Sequence, residues 1–284
     1  MEDAPPFDRH GPAEPASPVV LSVPHAGRDY PLSLRAALRV PLGQLIALED
    51  RAVDRVALAA RVGETVFVQQ RARAWIDLNR AEHERDPRVD DGAATAGQPL
   101  QSAKLRSGLG LVPRRAGRSG DLWSRRFAAD EIAARIRHDH RPYHAALSQA
   151  LASARARFGV AVLLDLHSMP PLGAGKDAVR LVFGDRFGKS AAARFVARLE
   201  GEAEAAGIAH ALNSPYAGGH ILERHAAPQA GVHAVQIELC RSLYLDAMLD
   251  RPGDGLARTA SLLRRMIDAL ADEALAQPGA LAAE

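Results

Sequence analysis

A short apolar stretch that ends in a histidine constrains the fold of this 284-residue chain more than any other feature. The stretch from Val160 to Leu166 reads VAVLLDL, and His167 follows it directly. An apolar run of this length is typical of a strand buried on both faces, which occurs mainly in parallel sheets covered by helices. Because ligands of open α/β sheets bind at the carboxyl ends of the strands, we expect His167 to lie at a functional site.

Further strand and helix patterns alternate along the chain. Short β-branched runs predict strands, and apolar residues at helical spacing predict helices between and after them. The predicted strands are 19–23, 65–68, 74–78, 160–166, 179–183, 208–212 and 232–239, and the predicted helices are 45–62, 127–158 with a kink at Pro142, 189–206 and 256–276. This order predicts an α/β fold, a single domain with a mixed, mostly parallel β-sheet flanked by helices on both faces.

The composition is that of an ordinary globular chain, with 47% apolar and 25% charged residues. No long Pro-, Gly- or Ser-rich linker divides it, so we expect one catalytic domain over residues 18–276. Residues 1–17 and 277–284 are expected to be flexible termini. Residues 82–119, rich in charge and glycine, interrupt the rhythm of strands and helices. We predict an extended active-site loop there, with a disordered insertion as the alternative.

Charge and cysteine content exclude several classes of protein. The 36 basic and 34 acidic residues are mixed, so we expect no nucleic-acid partner. One cysteine cannot form an internal disulfide, and the first residues lack the basic start and apolar core of a signal peptide. No apolar run approaches the roughly 20 residues of a membrane helix. We therefore expect a cytoplasmic protein without a membrane span, and the sequence leaves its oligomeric state open.

Two histidines at predicted strand ends suggest a metal site. His25 follows the predicted strand 19–23, and His167 ends the most apolar strand. Catalytic zinc sites commonly use two histidines and a carboxylate, and they leave a fourth position for a water molecule. Asp165 shares a strand face with His167 and is expected to orient its ring.

A carboxylate must complete such a ligand set. Asp50 and Asp54 lie four residues apart on the predicted helix 45–62, where both would share one face. Either aspartate is then a candidate ligand. The alternative is a solvated helix face on which these aspartates pair with Arg51 or Arg55.

Three further polar residues suggest catalysis and substrate binding. Glu238 lies in a nearly apolar strand, where an unpaired carboxylate would cost several kcal/mol. A role as general base would explain its presence, and a structural ion pair with Arg241 or another arginine is the alternative. Arg80, beside Asn79, has a planar guanidinium that can bind a substrate carboxylate with two hydrogen bonds. The alternative is that Arg80 forms an ordinary salt bridge within the protein.

Six motifs resemble, in their order, the N-formylglutamate amidohydrolase family over about residues 18 to 250. The motifs are Pro24-His25-Ala26-Gly27, Asp50-x-x-x-Asp54, Asp77-Leu78-Asn79-Arg80, Asp165-Leu166-His167-Ser168, Asn213-Ser214-Pro215-Tyr216-Ala217-Gly218-Gly219 and Gln236-Ile237-Glu238. The chain is more distantly similar to zinc carboxypeptidases and aspartoacylases. The resemblance implies one Zn²⁺ per chain, with another divalent metal as the alternative, and hydrolysis of N-formyl-L-glutamate at the end of a histidine-degradation route.

Carried over by position, the resemblance implies that His25 and His167 are metal ligands. It implies that Glu238 is the catalytic base, and that Asn79 and Arg80 clamp the substrate carboxylate. Carboxypeptidase-like enzymes place the second ligand in a His-x-x-Glu motif, and here the third residue after the first histidine is arginine. We therefore expect Asp50 to be the second ligand, with Asp54 as the alternative.

Four more residues are candidates for contacts with the substrate. Arg241 is expected to help stabilise the developing oxyanion. His144 is expected to make a polar contact in the pocket, with a position on the helix surface as the alternative. Gly218 and Gly219 would allow backbone amides to approach the substrate, with a plain turn as the alternative.

The substrate and the class of function remain open to alternatives. The family's early aspartate motif often carries a tryptophan where Arg51 stands, and the loop 107–114 looks like a subgroup feature, so another N-acyl amino acid is an alternative substrate. In a second alternative, Cys240 is a nucleophile partnered by a histidine. In a third, the protein is a non-catalytic module in which Arg80 and Arg241 hold an acidic ligand.

Overall fold

The computed structural model describes residues 6–93, 103–117, 119–175 and 177–276. The strands in these ranges are β1 (Phe7–His10), β2 (Val19–Val23), β3 (Thr65–Gln69), β4 (Ala161–Met169), β5 (Leu181–Gly184), β6 (His210–Leu212) and β7 (Val232–Cys240). Within the described residues these seven strands form one sheet in the order β1-β3-β2-β4-β7-β5-β6. Strand β4 runs parallel to β2 and β7, β5 runs antiparallel to β7, and β6 runs parallel to β5. The expected fold class, an α/β fold with a mixed sheet flanked by helices, is confirmed.

The described α-helices are α1 (Leu32–Ala36), α2 (Val53–Ala60), α3 (Ala103–Arg106), α4 (Ala129–Arg135), α5 (Arg141–Phe158), α6 (Ala193–Ala205), α7 (His220–His225) and α8 (Leu256–Leu275). Short 3₁₀ turns cover Leu42–Leu48, Pro228–Ala230 and Arg241–Leu243, and a π-turn covers Ile136–His140. Helix α8 buries an apolar stripe that includes Leu263, Met266 and Leu270, and it packs against α2 and α6. Among the helices of the described ranges, none has the length and apolar character needed to cross a bilayer.

Backbone contacts gather into two compact units. Among the described residues, the first unit contains 6–8, 24–51 and those within 67–146. The second contains 9–23, 52–66 and the described residues from 147 to 276. Strand β1 precedes the expected boundary at residue 18, so ordered structure begins earlier in the chain than predicted. The expected single domain over 18–276 stays a prediction, and residues 277–284 lie outside the described residues.

Strand β4 forms the centre of the second unit. All nine of its residues are buried, which explains the apolar run in the sequence. Its register pairs Asp165 with Ser22 of β2 and with Gln236 of β7, and it pairs His167 with Glu238. Because register partners project from the same face of a sheet, and residues two apart on a strand do so too, these five polar side chains share one face.

The predicted helix 45–62 is wrong at its centre. The chain forms a 3₁₀ turn over Leu42–Leu48, becomes extended at Glu49, and starts α2 only after Ala52, whose φ of 53° is left-handed. The backbone N–H of Asp50 donates to the carbonyl of His25 (2.9 Å), so it is not available for a helical hydrogen bond. Asp50 therefore lies before the helix and does not share a helix face with Asp54.

The predicted strand 74–78 is also wrong, because residues 71–80 form a loop. The N–H of Trp75 donates to the carbonyl of Ala72 (2.8 Å), and the N–H of Asp77 donates to the carbonyl of Leu111 (2.7 Å). These backbone groups therefore bond to other loop residues and form no strand ladder. The apolar side chains that suggested a strand are nevertheless buried, and Ile76 and Leu78 are almost fully excluded from solvent.

The helix predicted over 127–158 runs from Ala129 to Phe158, and it contains the π-turn Ile136–His140, which ends two residues before the kink predicted at Pro142. The N–H of Arg141 donates to the carbonyl of Ile136, five residues earlier. Pro142 follows the π-turn inside this continuous helix, and because it has no N–H it cannot donate the hydrogen bond of a regular α-helix to the carbonyl four residues earlier.

Candidate active-site elements in the two units

His25 and Asp77 form a buried contact in the first unit. The Nε2 atom of His25 lies 2.7 Å from Oδ1 of Asp77, which is fully buried. Arg73 donates to the other carboxylate oxygen (Nε to Oδ2, 2.8 Å), and Nη2 of Arg80 lies 3.8 Å from that oxygen. Burial alone would raise the pKa of Asp77, but the charges of Arg73, Arg80 and His25 lower it well below its usual value. Asp77 is thus an anion that holds the imidazole of His25 through Nε2.

Asp50 faces the other nitrogen of the same imidazole. Its Oδ2 lies 3.5 Å from Nδ1 of His25, and the backbone hydrogen bond described above holds the two residues together. Both side chains are buried. Asp54 lies in the second unit, in the first turn of α2, and is half-buried. A histidine held by a carboxylate on one nitrogen and facing an aspartate on the other has the arrangement of an oriented metal ligand.

The loop from Asp77 to Arg80 is held from several directions. The N–H of Asn79 donates to Oδ1 of Asp77 (2.9 Å), and Nε of Arg80 donates to the carbonyl of Leu109 (2.7 Å). A third hydrogen bond joins Nη1 of Arg80 to the carbonyl of Asn79. Burial lowers the pKa of the Arg80 guanidinium, and the charge of Asp77 opposes that effect. The side chain of Arg80 is therefore locked by backbone oxygens rather than extended on the surface.

The described parts of the predicted loop 82–119 are ordered by buried contacts. The N–H of Leu111 donates to the carbonyl of Glu84 (2.7 Å), and Nε of Arg114 donates to Oδ2 of Asp86 (2.9 Å). Gly110 is required for close approach, because a Cβ there would lie 2.8 Å from the carbonyl oxygen of Glu84. Residues 94–102 and Arg118 lie outside the described residues. In the rest of the segment the loop is a packed structure whose Leu109 carbonyl contacts Arg80.

His144 is not on the helix surface, so that alternative is wrong. Its side chain is fully buried, and Nε2 lies 3.0 Å from the carbonyl oxygen of Leu78. His140, one turn earlier, is equally buried, and its Nε2 lies 2.8 Å from the carbonyl oxygen of Arg80. His140 was not among the site residues predicted from the sequence. Its spacing of four residues from His144 was the available signal.

In the second unit, His167 is also oriented by a carboxylate. Its Nε2 lies 2.9 Å from Oδ2 of Asp165, which is on the same face of β4. The hydroxyl of Ser22 donates to Oδ1 of Asp165 (2.8 Å). The role expected for Asp165 is therefore confirmed by geometry. Ser22 was not identified from the sequence, because a serine inside a β-branched run carries no signal of its own.

Glu238 lies beside His167 on the neighbouring strand. The side-chain amide of Gln236 donates to Oε1 of Glu238 (3.0 Å), and Glu238 is largely buried. An amide donor stabilises the carboxylate form and fixes its orientation. A histidine and an oriented glutamate on adjacent strands can supply a metal ligand and a general base to one substrate.

Arg241 and Cys240 follow Glu238 at the end of β7. Nε of Arg241 donates to the hydroxyl of Ser168 (3.1 Å), the residue after His167. The thiol of Cys240 is fully buried in a small apolar cluster with Met169 and Val182. Its Sγ also lies 3.1 Å from the hydroxyl oxygen of Ser242, and because a buried thiol is usually inert, the structure disfavours the nucleophile alternative.

The Gly218-Gly219 pair lies directly before α7. Gly218 has a φ of 101°, and a Cβ on it would lie 2.5 Å from Cδ2 of Leu222. The preceding turn is closed by Asn213, whose side chain bonds both the N–H and the carboxylate of Asp185 (3.0 and 2.7 Å). Glycine is thus needed at 218 for the turn itself, and an approach of these amides to substrate stays a prediction.

These elements indicate a hydrolase of the α/β class, in which histidines oriented by carboxylates accompany a buried glutamate and a locked arginine. Comparison with known proteins identifies the family. The family model of the N-formylglutamate amidohydrolases matches residues 17–245. The chain therefore belongs to the N-formylglutamate amidohydrolase family.

Two curated relatives bear the name N-formylglutamate deformylase. The protein from Pseudomonas putida is 32% identical over 234 residues, 81% of this chain and 82% of the relative. The protein from Pseudomonas aeruginosa is 28% identical over 263 residues, 89% of this chain and 92% of the relative. Both alignments span most of each protein, so the similarity concerns whole chains rather than a shared fragment.

Solved structures agree with the family assignment. The crystal structure of N-formylglutamate amidohydrolase from Ralstonia eutropha JMP134 is 29% identical, with a TM-score of 0.83, and the match covers 95% of this chain and 98% of that one. A gene product from Agrobacterium tumefaciens is 20% identical, with a TM-score of 0.63, over 95% of this chain and 96% of that one, and it supports the fold alone.

Proposed function

We propose that this protein hydrolyses N-formyl-L-glutamate to L-glutamate and formate with the help of one bound zinc ion. The observation that carries the proposal is the match to the N-formylglutamate amidohydrolase family over residues 17–245, together with relatives that bear the name N-formylglutamate deformylase. We further propose that the reaction serves the end of a histidine-degradation route in the cytoplasm.

The proposed zinc ligands are His25, Asp50 and His167. The donor chemistry fits this metal, because imidazole nitrogen and carboxylate oxygen are the ligands of catalytic zinc sites. In both histidines Nε2 is engaged by a carboxylate, so Nδ1 is the nitrogen that would coordinate the metal. Asp54 is the alternative ligand, and another divalent metal is the alternative ion. When bound, zinc would polarise the formyl carbonyl and lower the pKa of a water molecule toward ~7.

Glu238 is proposed as the general base and general acid. It would take a proton from the attacking water as that water adds to the formyl carbon. The same carboxyl group would then pass the proton to the nitrogen of glutamate as the C–N bond breaks. Gln236 holds the Glu238 carboxylate in one orientation, and Arg241 is proposed to assist the negative charge that develops on the formyl oxygen.

Asn79 and Arg80 are proposed to bind a carboxylate of the substrate. A buried guanidinium that is already locked binds a carboxylate with little loss of side-chain entropy. The backbone amides at Gly218 and Gly219 are proposed as further contacts. His144, whose Nε2 is used by the Leu78 carbonyl, is better explained as a support of the clamp than as a polar contact to substrate.

The decisive experiment measures the metal content of the purified protein by elemental analysis, beside formate release from N-formyl-L-glutamate with and without a chelator. We expect about one zinc per chain and formate release that the chelator abolishes and added zinc restores. Formate release that is unaffected by complete metal removal would contradict the metal mechanism. A protein that takes up no metal and releases no formate would support the alternative of a carboxylate-binding module.

A second candidate function is hydrolysis of another N-acyl amino acid. Arg51, which stands where the family often has a tryptophan, donates to Oε2 of Glu49 (2.6 Å), and Glu49 also bonds the hydroxyl of Tyr30. Glu49 and Arg51 are the residues directly before and after Asp50 in the chain. Comparing kcat/KM for N-formyl-L-glutamate, N-formyl-L-aspartate and N-acetyl-L-glutamate tests the choice, and a preference of tenfold or more for either of the latter two would replace the proposed substrate.

A further inference from the structure

Two buried histidines bracket the segment proposed to bind the substrate carboxylate. His140 is the last residue of the π-turn, and His144 lies one turn later in α5. Their ring centroids are 4.4 Å apart, and both side chains are fully buried. Nε2 of His140 lies 2.8 Å from the carbonyl oxygen of Arg80, and Nε2 of His144 lies 3.0 Å from that of Leu78.

The acceptors determine where the imidazole protons are. A backbone carbonyl oxygen can only accept, so Nε2 of each histidine carries a hydrogen and donates it. The two accepting carbonyls belong to the residues on either side of Asn79. The histidines therefore fix the backbone immediately before and immediately after that asparagine, and they do so with directional bonds that apolar side chains of similar size cannot make.

The same helical frame holds the rest of the 75–80 loop. Trp75 donates its Nε1–H to Oδ2 of Asp139 (3.0 Å), and Arg135 donates from Nη1 to the carbonyl of Trp75 (3.0 Å). The guanidinium of Arg135 also stacks on the Trp75 ring, 3.8 Å from its centroid. Residues of α4, the π-turn and α5 thus make four hydrogen bonds to this loop, at Trp75, Leu78 and Arg80. Asp139 and His140 are neighbours in the chain, and both reach it from the π-turn.

We propose that His140 and His144 are positioning residues that preorganise Asn79 and Arg80 for the substrate carboxylate. This inference rests on the proposed function, since it assigns the cause of substrate affinity at the same site. A binding segment whose backbone is already fixed loses little conformational entropy when the substrate binds. The affinity for the substrate carboxylate therefore depends on the hydrogen bonds that fix the backbone around Asn79 and Arg80. Removing either donor leaves a buried carbonyl without its partner, and the segment shifts to find another.

The test compares variants that remove the donor with variants that keep it. His140→Leu and His144→Leu remove the N–H, whereas His140→Gln and His144→Gln retain an N–H at a similar distance from the backbone. His233→Leu is the matched control, because His233 is a buried histidine of β7 whose Nδ1 accepts from the N–H of Ala192 (3.3 Å). The measurements are kcat and KM for N-formyl-L-glutamate, zinc per chain, thermal midpoint, and L-glutamate binding by calorimetry.

We expect each leucine variant to raise KM and to weaken L-glutamate binding by about tenfold, with kcat changed by less than about threefold and zinc content unchanged. Each glutamine variant should restore KM to within about threefold of the wild type. The control should lower the thermal midpoint without moving KM.

Three results would overturn the positioning role. These are folded leucine variants with unchanged KM and glutamate affinity, glutamine variants that fail to restore KM, and a control that raises KM equally. If the leucine variants do not fold, His140→Asn and His144→Asn replace them with the same expectations, since the asparagine amide is too short to reach the carbonyls. A wild-type protein that releases no formate contradicts the proposed function itself, whereas an active wild type with unmoved variants contradicts only the positioning role.

Discussion

The two units present their candidate catalytic residues in different ways. In the second unit His167 and Glu238 sit on adjacent strands, and the register of a parallel pair places them side by side. In the first unit His25, Asp50 and Arg80 sit in loops that are held by side-chain and backbone hydrogen bonds over long sequence distances. A strand ladder orients residues by its regular geometry, whereas a loop needs a specific partner for each group. Loop residues should therefore depend more strongly on their supporting contacts.

The largest expected effect tests the strand side of this comparison. Glu238→Gln keeps the volume and the hydrogen bond from Gln236 but removes the base, so we expect kcat to fall by about 10³-fold with zinc retained. The check is steady-state kinetics with elemental analysis. Glu223→Gln is the control, since its exposed carboxylate pairs with Arg186 at the surface and should leave kcat unchanged. A Glu238→Gln enzyme with more than a tenth of wild-type kcat would rule out this role.

The next effect compares the two carboxylates that orient histidines. We expect Asp77→Asn to cost about 3–5 kcal/mol in the free energy of unfolding, because it removes the anion that faces the buried guanidinium of Arg80 and the half-buried guanidinium of Arg73. Asp165→Asn should cost less in unfolding free energy, since Asp165 bonds the hydroxyl of Ser22 and the imidazole of His167 rather than two guanidinium groups.

Both variants should weaken zinc binding by about 10- to 100-fold. Denaturant unfolding and a zinc-competition titration measure the two effects. Equal losses of unfolding free energy would contradict the distinction between loop and strand support.

The third prediction concerns the pH dependence of stability in the second unit, which a buried histidine of β7 is expected to affect. Burial, reinforced by the charge of Arg194, lowers the pKa of His233 from 6.5 to about 4. Between those values the unfolded chain binds a proton that the folded protein does not, so the stabilising contribution of neutral His233 is full above pH ~6.5 and falls toward pH ~4.

The expected size of this contribution is about 2–3 kcal/mol over the window. Comparing denaturant midpoints of wild type and His233→Leu from pH 7.5 to 4.5 checks it. The variant should show a smaller pH dependence, and parallel curves for the two proteins would refute the assignment.

The smallest effect concerns the loop that supports Arg80. Gly110→Ala places a Cβ against the Glu84 carbonyl and Cδ1 of Leu105, both 2.8 Å away, so the loop must shift at a cost of about 1–3 kcal/mol. Because Leu109 accepts from Arg80, we expect KM to rise by a few-fold with little change in kcat. Gly120→Ala, with open space around its Cβ position, is the control. Equal KM values for both variants would show that Arg80 does not depend on this loop.

The sequence predictions were accurate for the strands of the second unit and failed for two loop segments of the first. The strands around His167 and Glu238 were predicted within a few residues, since a strand buried on both faces must be apolar along its whole length. The predictions failed at 45–62 and 74–78, where apolar spacing was read as regular structure. There, the N–H of Asp50 donates to the carbonyl of His25, and the N–H of Asp77 donates to the carbonyl of Leu111. These acceptors are far away in sequence, so no local pattern reveals them.

Periodicity and motif order are properties of the sequence, and they were sufficient to predict the α/β class, the family and the strands that carry His167 and Glu238. The folded structure was needed to show that Asp77 holds the His25 imidazole, that Asp50 precedes α2, and that His140 and His144 donate to the backbone around Asn79. These features depend on contacts between residues tens of positions apart, whose energies exist only once the chain has folded.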